Sequence, residues 1–372
     1  MTNFNPRIHS TFDLKGVQLQ NRLAVAPMTR VSATAQGLPT QAMAEYYHRF
    51  AQGGFGLVFS EGLYTDQAFS QGYLNQPGMT DDAQARAWSG ITAALHARGT
   101  RMFAQLMHAG ALSQGNRFRK HTVGPSAVQP KGLQMSFYHG EGRYPMPLAI
   151  SAAELAEAIE GFVQSAARAV RLGGFDGVEI HGANGYLLDQ FLTEELNLRT
   201  DRWGGDVARR VSLLVEVVKA VKAELKGSAP VGIRISQGKV NDFTSKWSGG
   251  EADAKTIFCA LAEANVDFIH VTEFEAWQPA FAGGKDSLLT LARRYAPHVA
   301  IVVNGSLHEI DRSEEALANG ADVVALGRGA LANPDLPQVF GEQRVPRAFN
   351  AAILGPIANI KSSELAFSGS DK

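Results

Sequence analysis

The chain has 372 residues, 45% of them hydrophobic and 19% charged, with 35 basic against 36 acidic side chains and a formal net charge of −1. Such a balance creates no field that would recruit nucleic acid or an anionic membrane, so a small-molecule partner is expected. The lone cysteine, Cys259, excludes an internal disulfide and any four-cysteine zinc or iron–sulfur site within the chain. No run approaches the roughly 18 consecutive apolar residues of a membrane span, and Met1–Pro6 does not read as a signal peptide. A cytoplasmic protein is the expectation.

In chain order, residues 12–19 read as a hairpin turning at Lys15-Gly16 and plugging one end of the fold. Short β-branched runs then alternate with longer stretches of helical period. The predicted strands are Leu23–Ala26, Gly56–Ser60, Arg101–Leu106, Gly177–His181, Val231–Ile235, Asp267–Thr272, Ala300–Val303 and Asp322–Leu326. The amphipathic stretches between them include Ala83–Arg98, Ala152–Leu172, Val207–Leu225, Ala252–Ala264 and Glu309–Asn319. Ser151 with Glu154 three residues on is a capping box at the start of the second of these. Eight successive βα units predict an α/β fold, a (β/α)8 TIM barrel. An open doubly wound sheet is the competitor, but it normally places a Gly-rich phosphate turn after its first strand, where this chain has Pro27-Met28-Thr29-Arg30.

Residues 107–150 form an excursion too long for an ordinary connection, and such a segment is usually a lid or binding loop. One domain is expected over residues 1–361, with 362–372 as a frayed tail.

Barrel enzymes carry their chemistry on the loops that follow the strands. There the chain places Pro27-Met28-Thr29, Glu61-Gly62, Gln105 with His108, His181-Gly182-Ala183-Asn184-Gly185-Tyr186, Arg234, Asn304-Gly305-Ser306 and Gly327-Arg328. Gly305 and Gly327-Arg328 end the seventh and eighth strands, whose loops often cradle a phosphate against backbone N–H groups and a cation. The competing reading is that the glycines only turn the chain and that Arg328 pairs with a surface carboxylate. His181 and Asn184 could both aim hydrogen bonds at one ligand oxygen and hold a developing enolate, with Tyr186 as proton donor; a loop-closing hydrogen bond is the alternative. Arg234 in a barrel mouth needs an anionic partner, either Glu179 or a ligand. Gln105 is equally readable as a satisfied core amide. No spacing suggests a metal site.

Taken together, these blocks resemble the old yellow enzyme family of FMN-dependent ene-reductases over essentially the full length. The resemblance is carried by Asn21–Arg30, Ser60-Glu61-Gly62, Gln105–Gly110, His181–Leu192, Asn197–Gly205, Asn304-Gly305 and Gly327–Leu336. It implies non-covalent FMN, with Pro27, Met28 and Thr29 lining its ring, Gly62 and Gln105 at its edge, and Arg234 opposite the charge of the reduced ring. Gly305, Ser306, Gly327 and Arg328 would hold its phosphate, and Asn304 would be a further cofactor-binding residue. It further implies His181 and Asn184 binding a substrate carbonyl, Tyr186 protonating the α-carbon, and a ping-pong cycle from NAD(P)H to an α,β-unsaturated carbonyl compound, in a monomer or homodimer. Thr29 and Asn184 match the better-known branch of the family, whereas Gln105–Gly110 is more similar to the thermophilic-type branch. Reduction of nitrate esters, nitroaromatics or quinones at the same flavin site is the alternative, and a barrel aldolase or isomerase using Lys239, read here as a loop residue, is a remote one.

Overall fold

In the computed structural model, which describes residues 6–366, eight parallel strands close into a barrel. They are β1 (Leu23–Val25), β2 (Leu57–Phe59), β3 (Arg101–Met107), β4 (Gly177–Asn184), β5 (Val231–Lys239), β6 (Phe268–Thr272), β7 (Ala300–Asn304) and β8 (Val323–Leu326). Each strand pairs with its neighbour in sequence; β8 returns to β1 through Ala325 opposite Ala24, and β2 meets β3 through Val58 opposite Met102. A further short strand, Leu63–Tyr64, continues alongside β3. The predicted barrel is therefore the observed one, and the open sheet is excluded because no strand pair is left unjoined.

Helices α1 (Gln41–Gln52), α2 (Asp82–His96), α3 (Ala152–Arg171), α4 (Val207–Leu225), α5 (Glu251–Glu263), α6 (Leu288–Tyr295) and α7 (Ile310–Ala318) cover the outside. Two short helices, Arg328–Ala332 and Leu336–Gly341, take the eighth position. The expected capping box is formed: Ser151 Oγ accepts from the Glu154 N–H at 3.2 Å, and the Glu154 carboxylate accepts from the Ser151 N–H at 2.8 Å. None of the described helices is long and apolar enough to cross a membrane.

Strand side chains alternate between the helix layer and the barrel interior. Val178, Ile180, Ile233 and Ile235 face outward into the core shared with the helices. The interior begins with a layer of rings, in which Phe59, Phe103 and Phe268 meet at centroid distances of 5.6–6.0 Å. Gly232 makes room for it, since a Cβ there would lie 2.2 Å from the Phe268 ring. The hairpin Phe12–Leu14 and Val17–Leu19 seals this end, its Leu14 and Leu19 joining the same buried cluster. Two residues further along the strands the interior turns polar, with Gln105, Glu179, Arg234 and His270 all buried. So the rings form a floor, and the polar layer above them opens toward the strand ends.

Three boundaries differ from expectation by three residues or more. Strand β4 runs three residues beyond His181, and β5 four beyond Ile235, so Asn184 and Lys239 are strand residues. The tail does not fray from residue 362: Ser362–Leu365 is helical, and Glu364 is buried against Arg30 and Arg49. A carboxylate with two guanidinium partners anchors what the polar composition read as loose. Residues 367–372 of the expected tail lie outside the described residues. Finally, residues 107–150 are folded upon themselves, with Val123–Gly124 paired to Leu148–Ala149 and a bridge between Leu133 and Arg143.

Candidate active site

Above the polar layer lies a cavity of about 750 Å³, of the size that takes a cofactor or drug-sized ligand. Its lining includes Pro27, Met28, Thr29, Gln105, His181, Asn184, Tyr186, Arg234, Asn304, Gly305, Ser306, Gly327 and Arg328, so all but one of the expected site residues converge. The exception is Gly62. Its carbonyl accepts from Gln76 Nε2 at 2.6 Å and its α-carbon faces Met107, which places it outside the lining. Met135, Phe137 and Tyr138 from the excursion after β3 complete one wall.

His181 is buried, and its burial, with Arg234 and His270 nearby, pushes its pKa well below the usual imidazole range. It is therefore neutral. Its Nδ1 accepts a long 3.4 Å hydrogen bond from the Ala183 N–H, so the proton sits on Nε2, which can donate. Asn184 has φ +63, with its N–H on Ser236 Oγ at 2.8 Å and its carbonyl accepting from the Val240 N–H at 3.1 Å. Its side-chain amide makes no hydrogen bond among the described residues, so the loop-closing reading of the His–Asn pair does not describe it. The next turn is fixed by Asp189, which accepts from the Gly185 N–H at 2.6 Å and pairs with buried Lys239 at 3.1 Å. Lys239 is thus an ion-paired strand residue rather than a free loop amine, which removes the lysine an aldolase would need.

Tyr186 packs edge-on against His181, ring centroids 4.9 Å apart, and burial pushes its hydroxyl up to about 12. Its oxygen lies 2.5 Å from that of Tyr73, a wholly buried residue between β2 and α2. Tyr73 in turn packs on Tyr138, and the Tyr138 hydroxyl donates to the Thr29 carbonyl at 3.0 Å. Tyr73 and Tyr138 were not singled out from the sequence. Neither stands at a strand end, so no local signal marks them.

Arg234 is buried and makes no ion pair among the described residues. Its Nη2 donates to Thr272 Oγ1 at 3.1 Å and to Asn304 Oδ1 at 2.9 Å, while its Nε has no partner. Burial lowers its pKa, against the attraction of Glu179. The Asn304 amide is spent holding Arg234, Thr272 and the Ala325 carbonyl. At the other end, Gly305 has φ +150, and a Cβ there would lie 2.5 Å from the Glu273 carbonyl. Ser306 gives its hydroxyl to the Phe274 carbonyl at 2.7 Å. Arg328 lies over the Phe274 ring at 5.2 Å and makes no ion pair among the described residues, so the surface-carboxylate reading fails. A buried cation with an orphaned N–H at one end and a glycine-lined cradle with a second cation at the other suit an anionic, planar ligand with a phosphate tail. FMN fits this donor set.

A (β/α)8 barrel with this mouth defines a flavin-type oxidoreductase site. The model of the NADH:flavin oxidoreductase / NADH oxidase family matches residues 7–346, and the chain belongs to that family. It is an FMN-dependent, NAD(P)H-linked flavin oxidoreductase of the old yellow enzyme type. Among its relatives, 12-oxophytodienoate reductase 7 of Oryza sativa subsp. japonica is 32% identical over 357 residues, covering 90% of this chain and 87% of that protein. Chanoclavine-I aldehyde reductase of Penicillium roqueforti is 33% identical, covering 86% and 85%. Among solved structures, the old yellow enzyme homologue from Zymomonas mobilis superposes with a TM-score of 0.87 at 30% identity, covering 98% of this chain and 99% of that one. Morphinone reductase in complex with tetrahydroNAD gives 0.85 at 28% identity, covering 99% and 100%.

Proposed function

We propose that the chain reduces the C=C bond of α,β-unsaturated carbonyl compounds in a ping-pong cycle. The observation that carries the reading is the convergence of three groups on one cavity wall: a neutral His181 with its proton on Nε2, an unpartnered Asn184 amide and a protonated Tyr186. FMN, when bound, would supply the redox chemistry, the passage of hydride from NAD(P)H to the substrate β-carbon. His181 and Asn184 donate to the carbonyl oxygen, and both bonds strengthen as enolate charge develops there. Because both donors are already held at the cavity wall, His181 buried and Asn184 half-buried, little reorganisation accompanies the reaction.

Tyr186 protonates the α-carbon. Its raised pKa keeps it an acid at neutral pH. For its proton to face the cavity, the Tyr73 hydroxyl must donate to the Tyr186 oxygen rather than accept from it. That same bond then stabilises the phenolate left after transfer. Pro27, Met28, Thr29, Gln105 and Arg234 would hold the ring of FMN, and Gly305, Ser306, Gly327 and Arg328 its phosphate, Asn304 acting through Arg234. Residues 107–150 would serve as a lid through Met135, Phe137 and Tyr138. The reading includes a cytoplasmic setting, in keeping with a free Cys259 thiol.

The test is an absorption spectrum followed anaerobically. The FMN-loaded protein should bleach with NADPH and recolour with cyclohexenone, and Tyr186→Phe should slow recolouring about 10²-fold or more while bleaching stays nearly unchanged. Equal loss in both steps would remove Tyr186 as the proton donor. Bleaching without recolouring by enones would replace this substrate class with nitro compounds or quinones.

A further inference from the structure

In the polar layer beneath the cavity, three side chains from β3, β4 and β6 join in one buried chain of hydrogen bonds. Gln105 on β3 gives its side-chain nitrogen to Glu179 Oε1 on β4 at 2.7 Å. Glu179 Oε2 lies 2.6 Å from His270 Nδ1 on β6. Glu179 and His270 are both wholly buried, and neither lines the cavity, whereas Gln105 does. Two boundary conditions hold the chain in place. Below, the His270 ring lies against Phe59 at 5.2 Å, and its Nε2 has no hydrogen-bond partner among the described residues. Beside it lies the buried Arg234 cation, which is attracted to Glu179 across the layer.

We propose that Glu179, held by His270, is an orientation lock that lets Gln105 present only its carbonyl oxygen to the cavity, so that the site demands a ligand N–H at that point. The inference rests on the FMN reading and adds to it how one edge of the ring is recognised. A carboxylate has no proton to give, so an amide facing it must do so with its NH2. The Gln105 oxygen is thereby turned the other way, and it makes no hydrogen bond among the described residues. The conclusion holds even where the proton shared with His270 sits on Glu179 Oε2, since Oε1 is then a carbonyl oxygen and still accepts. Across Glu179, Arg234 offers only donors. An acceptor on one side and donors on the other complement an imide, whose N–H stands beside carbonyl oxygens, and the isoalloxazine ring carries such an N–H at N3. Without Glu179 the amide could rotate to expose its NH2 at small cost, and the discrimination would vanish.

The experiment compares FMN with 3-methyl-FMN, which lacks that N–H, binding each to the full chain stripped of flavin and reading flavin fluorescence. The wild type is expected to bind the methylated flavin about 10- to 100-fold more weakly, the range set by a buried acceptor left without a donor. In Glu179→Gln the introduced amide can give its carbonyl to His270 and its NH2 to Gln105, so the ratio should fall below about 3-fold. A role for Glu179 in packing alone would weaken both flavins equally and keep the wild-type ratio, which would overturn the lock. A wild type that binds both flavins alike would overturn it outright. Should Glu179→Gln fail to fold, Gln105→Leu removes the acceptor directly; the ratio should again collapse, and an unchanged ratio is the contrary result. Failure of the FMN reading itself is distinguishable, since the wild type would then bind neither flavin.

Discussion

Glu61 follows β2 with one carboxylate oxygen accepting from the Arg30 N–H at 3.0 Å and the other, Oε1, buried with no hydrogen-bond partner among the described residues. Burial dominates, and its pKa is pushed up to about 7, against the pull of Arg30. Between the ordinary glutamate value and pH 7 the native chain therefore holds this proton more tightly than the unfolded chain does. The sign follows: the contribution is fully present at low pH and is lost as pH rises through the folded value, by about 3 kcal/mol in all at roughly 1.4 kcal/mol per unit. Denaturation of wild type and Glu61→Gln at pH 4.5 and 7.5 should show the variant gaining relative stability at the higher pH; a pH-independent difference would mean that the carboxyl titrates normally. Of this residue the sequence showed the position at a strand end, and nothing of its solvation. Tyr73 makes the same point more strongly, because its partner Tyr186 lies 113 residues away in the chain.

At the scale of elements, the site depends on how β4 and β5 end. Their register is regular to Ile235 opposite Gly182 and then shifts, so that Lys239 comes to lie opposite Asn184. That irregularity lets Ser236 catch the Asn184 N–H and Lys239 reach Asp189, which together aim the Asn184 amide at the cavity. His181, three residues earlier, lines the same cavity because β4 carries both. Replacing both with alanine removes the donors and leaves the Arg234 end intact. The double variant should lose about 10²-fold or more in affinity for a phenol, read from the long-wavelength absorption of the flavin–phenolate complex, while FMN remains bound. Retained phenol affinity would show that the two side chains do not form an oxyanion site.

At the scale of the molecule, the last described helix is bound to the residues that follow the first barrel strand. Glu364, from the last described helix, meets Arg30 just after β1 and Arg49 in α1, with side chains almost wholly buried. Arg30 donates further to the Ala358 and Asn359 carbonyls, tying the C-terminal segment to the residues that follow the first strand. Glu364→Ala would leave two buried guanidinium groups without their counter-ion, which typically costs about 3–5 kcal/mol. Equilibrium unfolding should show a loss of that order, and a change under about 0.5 kcal/mol would mean that the segment's docking is incidental. No spacing announced this contact. The composition of residues 362–372 argued for a loose end, and only the meeting of residues more than 300 apart reversed it.

What the sequence determined by itself is whatever is periodic or local. The alternation of β-branched runs with amphipathic stretches gave the count of βα units, and the barrel follows once each strand lies parallel to the next. The strand-end rule then placed His181, Asn184, Tyr186, Gln105, Arg234, Gly305 and Arg328 around one mouth, since a parallel barrel sends every strand end to the same face. What only the tertiary structure decided is how those groups are charged, aimed and partnered. Neutral His181, unpaired Arg234, Tyr73 behind Tyr186 and the Gln105–Glu179–His270 chain all arise between strands far apart in sequence. Protonation and hydrogen-bond direction depend on desolvation and on the nearest opposing atom, which exist only after the barrel has closed.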